Sequence, residues 1–269
     1  MNHLPFPLRL NPRLCIAALL AGLAAAAPAQ AQLRPLDDQE LSETRGQGLL
    51  AMSNSRLGEF DFTRIAFDAD IALSANFRNT RLGEYRYAGR NGLGADIDMP
   101  LLQFGRSDAG EAQRLVQVSN PYFEVVYRVG ADAATREVVG MRFGFDGISG
   151  DVGLKLASLS GSLAVGAAAG STAALDSRLD PGGGKRWDGA CAGACLSLAQ
   201  LGAVRAGDAA GPSRDFWISV LKTGVQFQGP AGMAQLPDVA QAGVWLNWRD
   251  RLSALSVNGV TPPNLPKAR

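Results

Sequence analysis

Alternation of apolar and polar residues dominates the chain from Phe60 onward, and this pattern predicts β-strands. In the segment FDFTRIAFDADIALSANF, every second side chain from Ile65 onward is apolar. Because successive side chains of a strand point to opposite faces, the segment predicts one long strand with a buried face and a solvated face. The apolar positions are Ile65, Phe67, Ala69, Ile71, Leu73, Ala75 and Phe77.

Further segments carry the same strand signal. GLGADIDMP follows an Asn-Gly turn, and PYFEVVYRV with REVVGMRFGF predicts a hairpin through GADAAT. In the second of these strands Met141, Phe143 and Phe145 share one face, with Arg142 between them. SGDVGLKLASLSGSLAV changes register midway, which predicts a bulge or corner. Two final strands are predicted in DFWISVLKTGVQFQ and AGVWLNW.

These strands predict an all-β fold. No helical period of 10 to 15 residues separates them, so the sheet should be mainly antiparallel, as a sandwich or a strongly curved, partly closed sheet. One short helix is expected in LDDQELSETR, where Asp37 can cap the first turn and Glu40 stands at the matching capping-box position.

The N-terminus predicts export. Arg9 and Arg13 precede the apolar run LCIAALLAGLAAAA, and the small residues Ala29 and Ala31 then form a signal-peptidase site, with Gln32 as the first mature residue. We therefore expect the protein in the periplasm, on the outer surface or in the medium. No later apolar run is long enough for a transmembrane helix.

The predicted organisation has four parts along the chain. Residues 1–31 are the signal peptide and residues 32–50 a short helical lead segment. Residues 51–260 form a single β-rich domain, with a Gly/Ala-rich loop region at about 166–213. Residues 261–269 form an extended tail.

Composition excludes several function classes. The net charge is +1 and no basic run occurs, so nucleic acid is not an expected partner. His3 is the only histidine and lies in the predicted signal peptide. The mature chain would therefore lack the base of a Ser-His-Asp or Cys-His site, and no catalytic motif replaces it.

Cys191 and Cys195 are the cysteines that the mature chain would keep, in WDGACAGACLS. An oxidising compartment favours a disulfide between them. Their three-residue spacing differs from the C-x-x-C of thiol oxidoreductases, so the predicted disulfide is structural.

Four carboxylates are candidates for a calcium site, because hard cations bind several oxygen ligands. Asp68 and Asp70 share one face of a predicted strand, and Asp96 and Asp98 share a face of another. The alternatives are that they solvate the outer faces of half-buried strands, or that two of them form a glycosidase pair. No other cofactor is indicated.

Three tryptophans lie in the C-terminal strands, at Trp217, Trp245 and Trp248. Their indole rings could form a sugar- or lipid-binding platform. Within strand-patterned segments, however, packing in the core is the favoured interpretation.

The motif LRPLDDQELSETRGQGLL resembles the start of a family of uncharacterised proteobacterial exported proteins, in which Leu-x-Asp-x-Glu-Leu-Ser leads to Gly-Gln. Later blocks that look similar include FTRIAFDADIALSANFR, SNPYFEVVYRV and GVWLNW. Some relatives have been labelled pilus-assembly proteins. The resemblance therefore implies an exported β-rich protein with a possible pilus association, and it implies no catalytic residue.

Three functional hypotheses follow. The first is a non-enzymatic structural or interaction protein of the cell envelope or surface, which contacts its partners through β-edges or loops. The second is a carboxylate-dependent glycan-binding protein or glycan-acting enzyme. The third is an outer-membrane β-barrel, whose strands also alternate over about ten residues.

Overall fold

The computed structural model describes residues 49–87, 92–130, 135–166, 172–179, 196–230 and 239–266. Within these ranges the chain forms thirteen strands and two short 3₁₀ turns, at Ala112–Arg114 and Ser177–Leu179. The strands are β1 (Leu50–Leu57), β2 (Phe60–Phe67), β3 (Asp70–Leu73), β4 (Ala75–Tyr87), β5 (Gly92–Phe104), β6 (Val116–Val129), β7 (Arg136–Lys155), β8 (Gly161–Gly166), β9 (Thr172–Asp176), β10 (Ala203–Ala206), β11 (Trp217–Leu221), β12 (Gly243–Trp248) and β13 (Leu252–Ser256). The prediction of an all-β fold is confirmed.

Six of these strands form a closed ring. Their order is β7, β10, β13, β8, β12 and β11, and β11 pairs back to β7. β8 runs parallel to β12 and β13, whereas the other neighbours in the ring are antiparallel. The sheet is therefore mainly antiparallel and closed, which is the strongly curved form of the two that the sequence predicts.

Two glycines allow ring strands to approach each other closely. A Cβ on Gly140 of β7 would lie 2.3 Å from the carbonyl oxygen of Val220 on β11. A Cβ on Gly161 of β8 would lie 2.2 Å from the carbonyl oxygen of Leu246 on β12. Only glycine fits at these two contacts without displacement of the neighbouring backbone.

The twenty-residue strand β7 also carries strands outside the ring. Its first part pairs with β6, which continues the sheet to β2 and then to β1. Its last part pairs with β5, and β5 pairs with β4. β3 adds to β6, and β9 adds to β8. β7 is thus shared between the ring and an extension of the sheet formed by β1, β2 and β6.

Two apolar clusters form the core of the described chain. The larger cluster contains the ring residues Leu163, Val204, Leu246 and Trp248. The smaller cluster packs Phe62 and Val126 of the extension against Trp217, Trp245 and Phe227. All three predicted tryptophans are buried, which confirms their interpretation as core residues.

The prediction of one long strand through Ile65 to Phe77 is wrong. The segment is divided into β2, β3 and the start of β4, because β2 and β3 pair with β6 whereas β4 pairs with β5. Three of its expected core residues, Phe67, Ile71 and Phe77, are instead exposed. Alternation alone did not indicate that the segment changes its partner strand.

Other local predictions have mixed outcomes. The hairpin of β6 and β7 is confirmed, and a corner separates β7 from β8 where the register change was noted. Between 166 and 213 the described residues include the short strands β9 and β10. Residues 261–266 of the predicted tail have no regular secondary structure, and β13 was not predicted. The predicted signal peptide, most of the lead segment and the predicted disulfide lie outside the described residues.

Candidate functional site

The extension, together with β7 and β11, brings five strands side by side in the order β1, β2, β6, β7 and β11. Directly paired residues of antiparallel strands share one face of the sheet. The register of the strands therefore defines rows of side chains that cross all five strands. One such row is apolar and the neighbouring row is polar, so the two faces differ in chemistry.

The apolar face contains the row Met52, Ile65, Phe123, Phe143 and Ile218, in which each residue is paired with the next. Met52 is 71% exposed and Phe143 is 50% exposed, while the other three are partly buried. The flanking positions on the same face add further apolar side chains, which are Leu50, Phe67, Val125, Met141 and Val220.

A shallow groove of about 330 Å³ lies in this face, lined chiefly by Phe67, Phe123, Phe143 and Phe216. Ile218 packs against the larger core cluster, so the apolar face is continuous with the core. An exposed apolar surface of this kind marks a contact site more often than a scattered exposed residue does.

Charged residues surround the apolar face at one end. Arg56 and Asp61 are paired positions of β1 and β2, and their side chains lie 3.8 Å apart. Arg136 reaches the same carboxylate at 3.3 Å. The face thus has an apolar centre and a rim that carries both signs of charge, as protein interfaces commonly do.

The neighbouring row, on the opposite face, contains Ser53, Arg64, Glu124, Arg142 and Ser219. Arg142 and Glu124 are each only 4% exposed, and Nε of Arg142 donates to Oε2 of Glu124 at 2.6 Å. Both charges are thus buried as a directly hydrogen-bonded pair. Burial of two ions is tolerated only with such pairing.

Aromatic rings surround the buried guanidinium of Arg142. Its central carbon lies 4.4 Å from the ring centre of Phe227, with Tyr122 and Trp217 at 5.5 and 5.6 Å. A cation over these ring faces is stabilised electrostatically. Burial raises the pKa of the Tyr122 hydroxyl above its ordinary value, although the nearby arginines oppose the shift.

A cleft of about 600 Å³ opens over this polar row. β1 forms one wall with Ala51, Ser53 and Ser55, and residues 228–230 contribute to the lining from the segment after β11. Arg64 lies over the ring of Tyr122 at 3.5 Å and pairs with Asp146. The cleft therefore presents hydroxyl, guanidinium and carboxylate groups together.

The four predicted calcium ligands are placed in two separate parts of the fold, with Asp68 and Asp70 at the start of β3 and Asp96 and Asp98 on β5. Asp68 follows β2 and is exposed, and Asp70 begins β3, where it accepts a hydrogen bond from Ser119 at 2.6 Å. Asp98 of β5 lies 3.4 Å from Arg81. Asp96 is buried, contrary to the solvated position that was expected, and it accepts the backbone N–H of Val244 at 2.8 Å.

The described residues contain no group of three or more His, Cys, Asp or Glu side chains that could hold a metal ion. The calcium site gains no support from these positions and stays a prediction. None of the four carboxylates lines the 600 Å³ cleft; its carboxylates are Glu124 and Asp146.

Sequence reasoning missed Glu124 as a site residue, although a usable signal was present. Glu124 and Arg142 are each flanked by apolar residues, and they lie at nearly equal distances from the centre of GADAAT, which falls between Asp132 and Ala133. A symmetrical hairpin about that point would pair Glu124 with Met141, and a one-residue register shift between Val126 and Tyr127 brings Arg142 opposite Glu124 instead. Opposite charges at paired positions of a hairpin therefore indicate an ion pair.

Comparison with protein-family models, with curated proteins and with solved structures gave no match for this chain. Among the described residues, no helix has the length and apolar character needed to cross a membrane.

Proposed function

We propose that the protein is an exported, non-enzymatic interaction protein of the cell envelope or surface, and that it associates with a second copy of itself through the apolar face. The observation that carries this proposal is that two neighbouring side chains of β7 have the opposite of the usual exposure for their polarity. Phe143 is half exposed, whereas its neighbour Arg142 is buried. A partner that covers the apolar face would remove this unfavourable exposure.

A second copy fits the shape of the face. Sheets stack face to face about 10 Å apart, and the chain itself supplies a sheet with a matching apolar face. Closed twofold dimers are the commonest assemblies of identical chains. The mixed charges of Arg56, Asp61 and Arg136 at the rim do not repel a copy of the same rim, and they differ from the basic cluster that anionic lipid favours.

The size of the face predicts a reversible dimer. Five strands about 4.8 Å apart and about five residues long give a footprint of roughly 300 Å² on each copy. A standard stable interface buries about 800 Å² per partner, so this contact should be weak and depend on local concentration. A high local concentration of the protein at a surface would favour the dimer by mass action.

Sedimentation velocity over a range of concentrations tests the proposal. The wild-type protein should shift from monomer toward dimer as the concentration rises, and Phe143→Asp should stay monomeric. Phe77→Asp is the matched control, because Phe77 is 48% exposed but lies on β4, outside the apolar face.

Three outcomes would overturn the proposal. The wild type could be a monomer at every concentration, Phe77→Asp could abolish the dimer as effectively as Phe143→Asp, or the protein could bind phosphatidylglycerol vesicles through Phe143 without dimerising. Fractionation of tagged cells into cytoplasm, periplasm, outer membrane and medium tests the export, and recovery in the cytoplasm alone would contradict it.

A further inference from the structure

We propose that the 600 Å³ cleft over the polar row binds a neutral saccharide. The cleft lies on the opposite face of the sheet from the apolar face, so this inference is independent of self-association. Its volume lies within the 300–1,000 Å³ that is typical of small-molecule sites.

The balance of charge favours a neutral ligand over an anion. The three arginines that line the cleft each have a carboxylate partner. Arg142 pairs with Glu124, Arg64 with Asp146, and Arg214 lies 3.6 Å from Asp250. An anion would have to displace one of these carboxylates. A ligand with hydroxyl groups can instead bind to the hydrogen-bond donors and acceptors that these ion pairs leave unused.

Glu124 supplies such capacity at the base of the cleft. Its Oε2 accepts the hydrogen bond from Arg142, and within the described part of the chain its Oε1 has no hydrogen-bond partner. The residue is 4% exposed and lines the cleft. Oε1 is thus an acceptor that the ion pair leaves open at the cleft, and a ligand hydroxyl that donates to it would form a charge-assisted hydrogen bond.

The wall formed by β1 complements this acceptor. Ser53 is paired directly with Arg64, and Ser55 lies two residues further along the same face of β1. Serine hydroxyls both donate and accept hydrogen bonds, and guanidinium groups donate several in one plane. Vicinal hydroxyl groups of a sugar ring match this mixture of planar and hydroxyl partners.

The aromatic residues of the cleft contribute little open ring surface. Trp217 is fully buried, and the guanidinium of Arg64 covers the ring of Tyr122. Recognition should therefore depend on hydrogen bonds, and the affinity should be modest. Pure stacking ligands, such as unsubstituted aromatic compounds, should not bind here.

Saturation-transfer difference NMR with defined probes tests the proposal. The neutral probes are maltose, cellobiose and N,N′-diacetylchitobiose, and the anionic probes are digalacturonate and inorganic phosphate. We expect signals from at least one neutral disaccharide at millimolar concentration and a clear preference for it over the anions.

Variants at two neighbouring residues of β1 test where the sugar binds. Ala51→Trp puts a large ring into the cleft from the exposed strand β1, and it should weaken binding at least about tenfold without affecting the buried ion pair. Met52→Trp is the matched control, because Met52 lies next to Ala51 but on the apolar face. It should bind the sugar as the wild type does.

Glu124→Gln provides a second test of the chemistry, because it keeps the shape of the side chain but removes the charge. Binding should fall, and circular dichroism at the binding temperature verifies that the variant is folded. Failure of every neutral sugar to bind, preferential binding of phosphate or digalacturonate, or unchanged binding in Ala51→Trp would overturn the proposal. Loss of the dimer in Phe143→Asp with sugar binding intact would separate the two proposals.

Discussion

The buried pair of Glu124 and Arg142 provides a quantitative prediction about stability. Arg142→Met leaves the Glu124 carboxylate buried without its cation, and Glu124→Gln leaves the guanidinium without its anion. Two unit charges about 4 Å apart interact by about 4 kcal/mol at an effective dielectric constant of about 20. Removal of one member of a buried pair typically costs 3–5 kcal/mol.

The two single variants should differ in a defined order. Arg142→Met also loses the cation–π contact with Phe227, so we expect it to lower the free energy of unfolding by ~3–5 kcal/mol. Glu124→Gln keeps an oxygen that can accept from Nε of Arg142, so its cost should be about 2–3 kcal/mol. The double variant Glu124→Leu with Arg142→Met removes both charges and should be more stable than Arg142→Met alone.

Urea unfolding followed by tryptophan fluorescence measures these differences, since Trp217, Trp245 and Trp248 are buried in the folded state. Glu137→Gln is the control on the same strand. Glu137 pairs with Lys222 at 3.5 Å in an exposed position, and its loss should cost less than about 1 kcal/mol. If the double variant is no more stable than Arg142→Met alone, the buried carboxylate carries no cost without its cation and the reasoning is refuted.

Two further predictions concern the closed ring and a buried acid. Gly161→Ala should lower the free energy of unfolding by ~1–3 kcal/mol, because its Cβ would meet the carbonyl oxygen of Leu246. Gly224→Ala is the control, because a Cβ there has ordinary contacts and should change stability little. Equal effects of the two variants in urea unfolding would contradict the close approach. Burial raises the pKa of Asp215, so the folded state takes up a proton before the unfolded state does as the pH falls. The free energy of unfolding of the wild type, relative to that of Asp215→Asn, should therefore increase as the pH falls from 7 toward the ordinary pKa of an aspartate near 4. A difference in urea unfolding that is independent of pH would show that Asp215 does not titrate in this way.

Much of the fold was accessible from local pattern. Alternation located β6, β7 and β12, and the GADAAT turn predicted the hairpin of β6 and β7. The all-β class followed because no helical period separates these strands. The pattern does not indicate the partner of each strand, and so it predicts one strand where the chain forms β2, β3 and the start of β4. Ring closure depends on pairings between distant segments, such as β8 with β12, which carry no local signal.

The candidate site was harder to predict because it reverses the usual relation between polarity and burial. The carboxylates chosen from sequence, such as Asp68 and Asp70, lie in the most polar segments, where solvation is the ordinary role. Glu124 is surrounded by apolar neighbours in sequence, yet it is the carboxylate in the cleft. An isolated charge in an apolar strand is costly to bury, and that cost is itself the signal of a specific partner.

Among the described strands β1 lies at the outer edge of the extension, and this position determines how the molecule would respond to a pulling force. Leu50 begins β1 and is paired with Phe67, so tension applied at the N-terminal side would break the β1–β2 pairs one after another from that end. Sequential opening of this kind breaks few hydrogen bonds at a time, whereas each strand of the ring is paired on both sides and offers no edge from which opening could begin. The wall of the cleft and one side of the apolar face would therefore separate from the molecule first, while the ring stays intact.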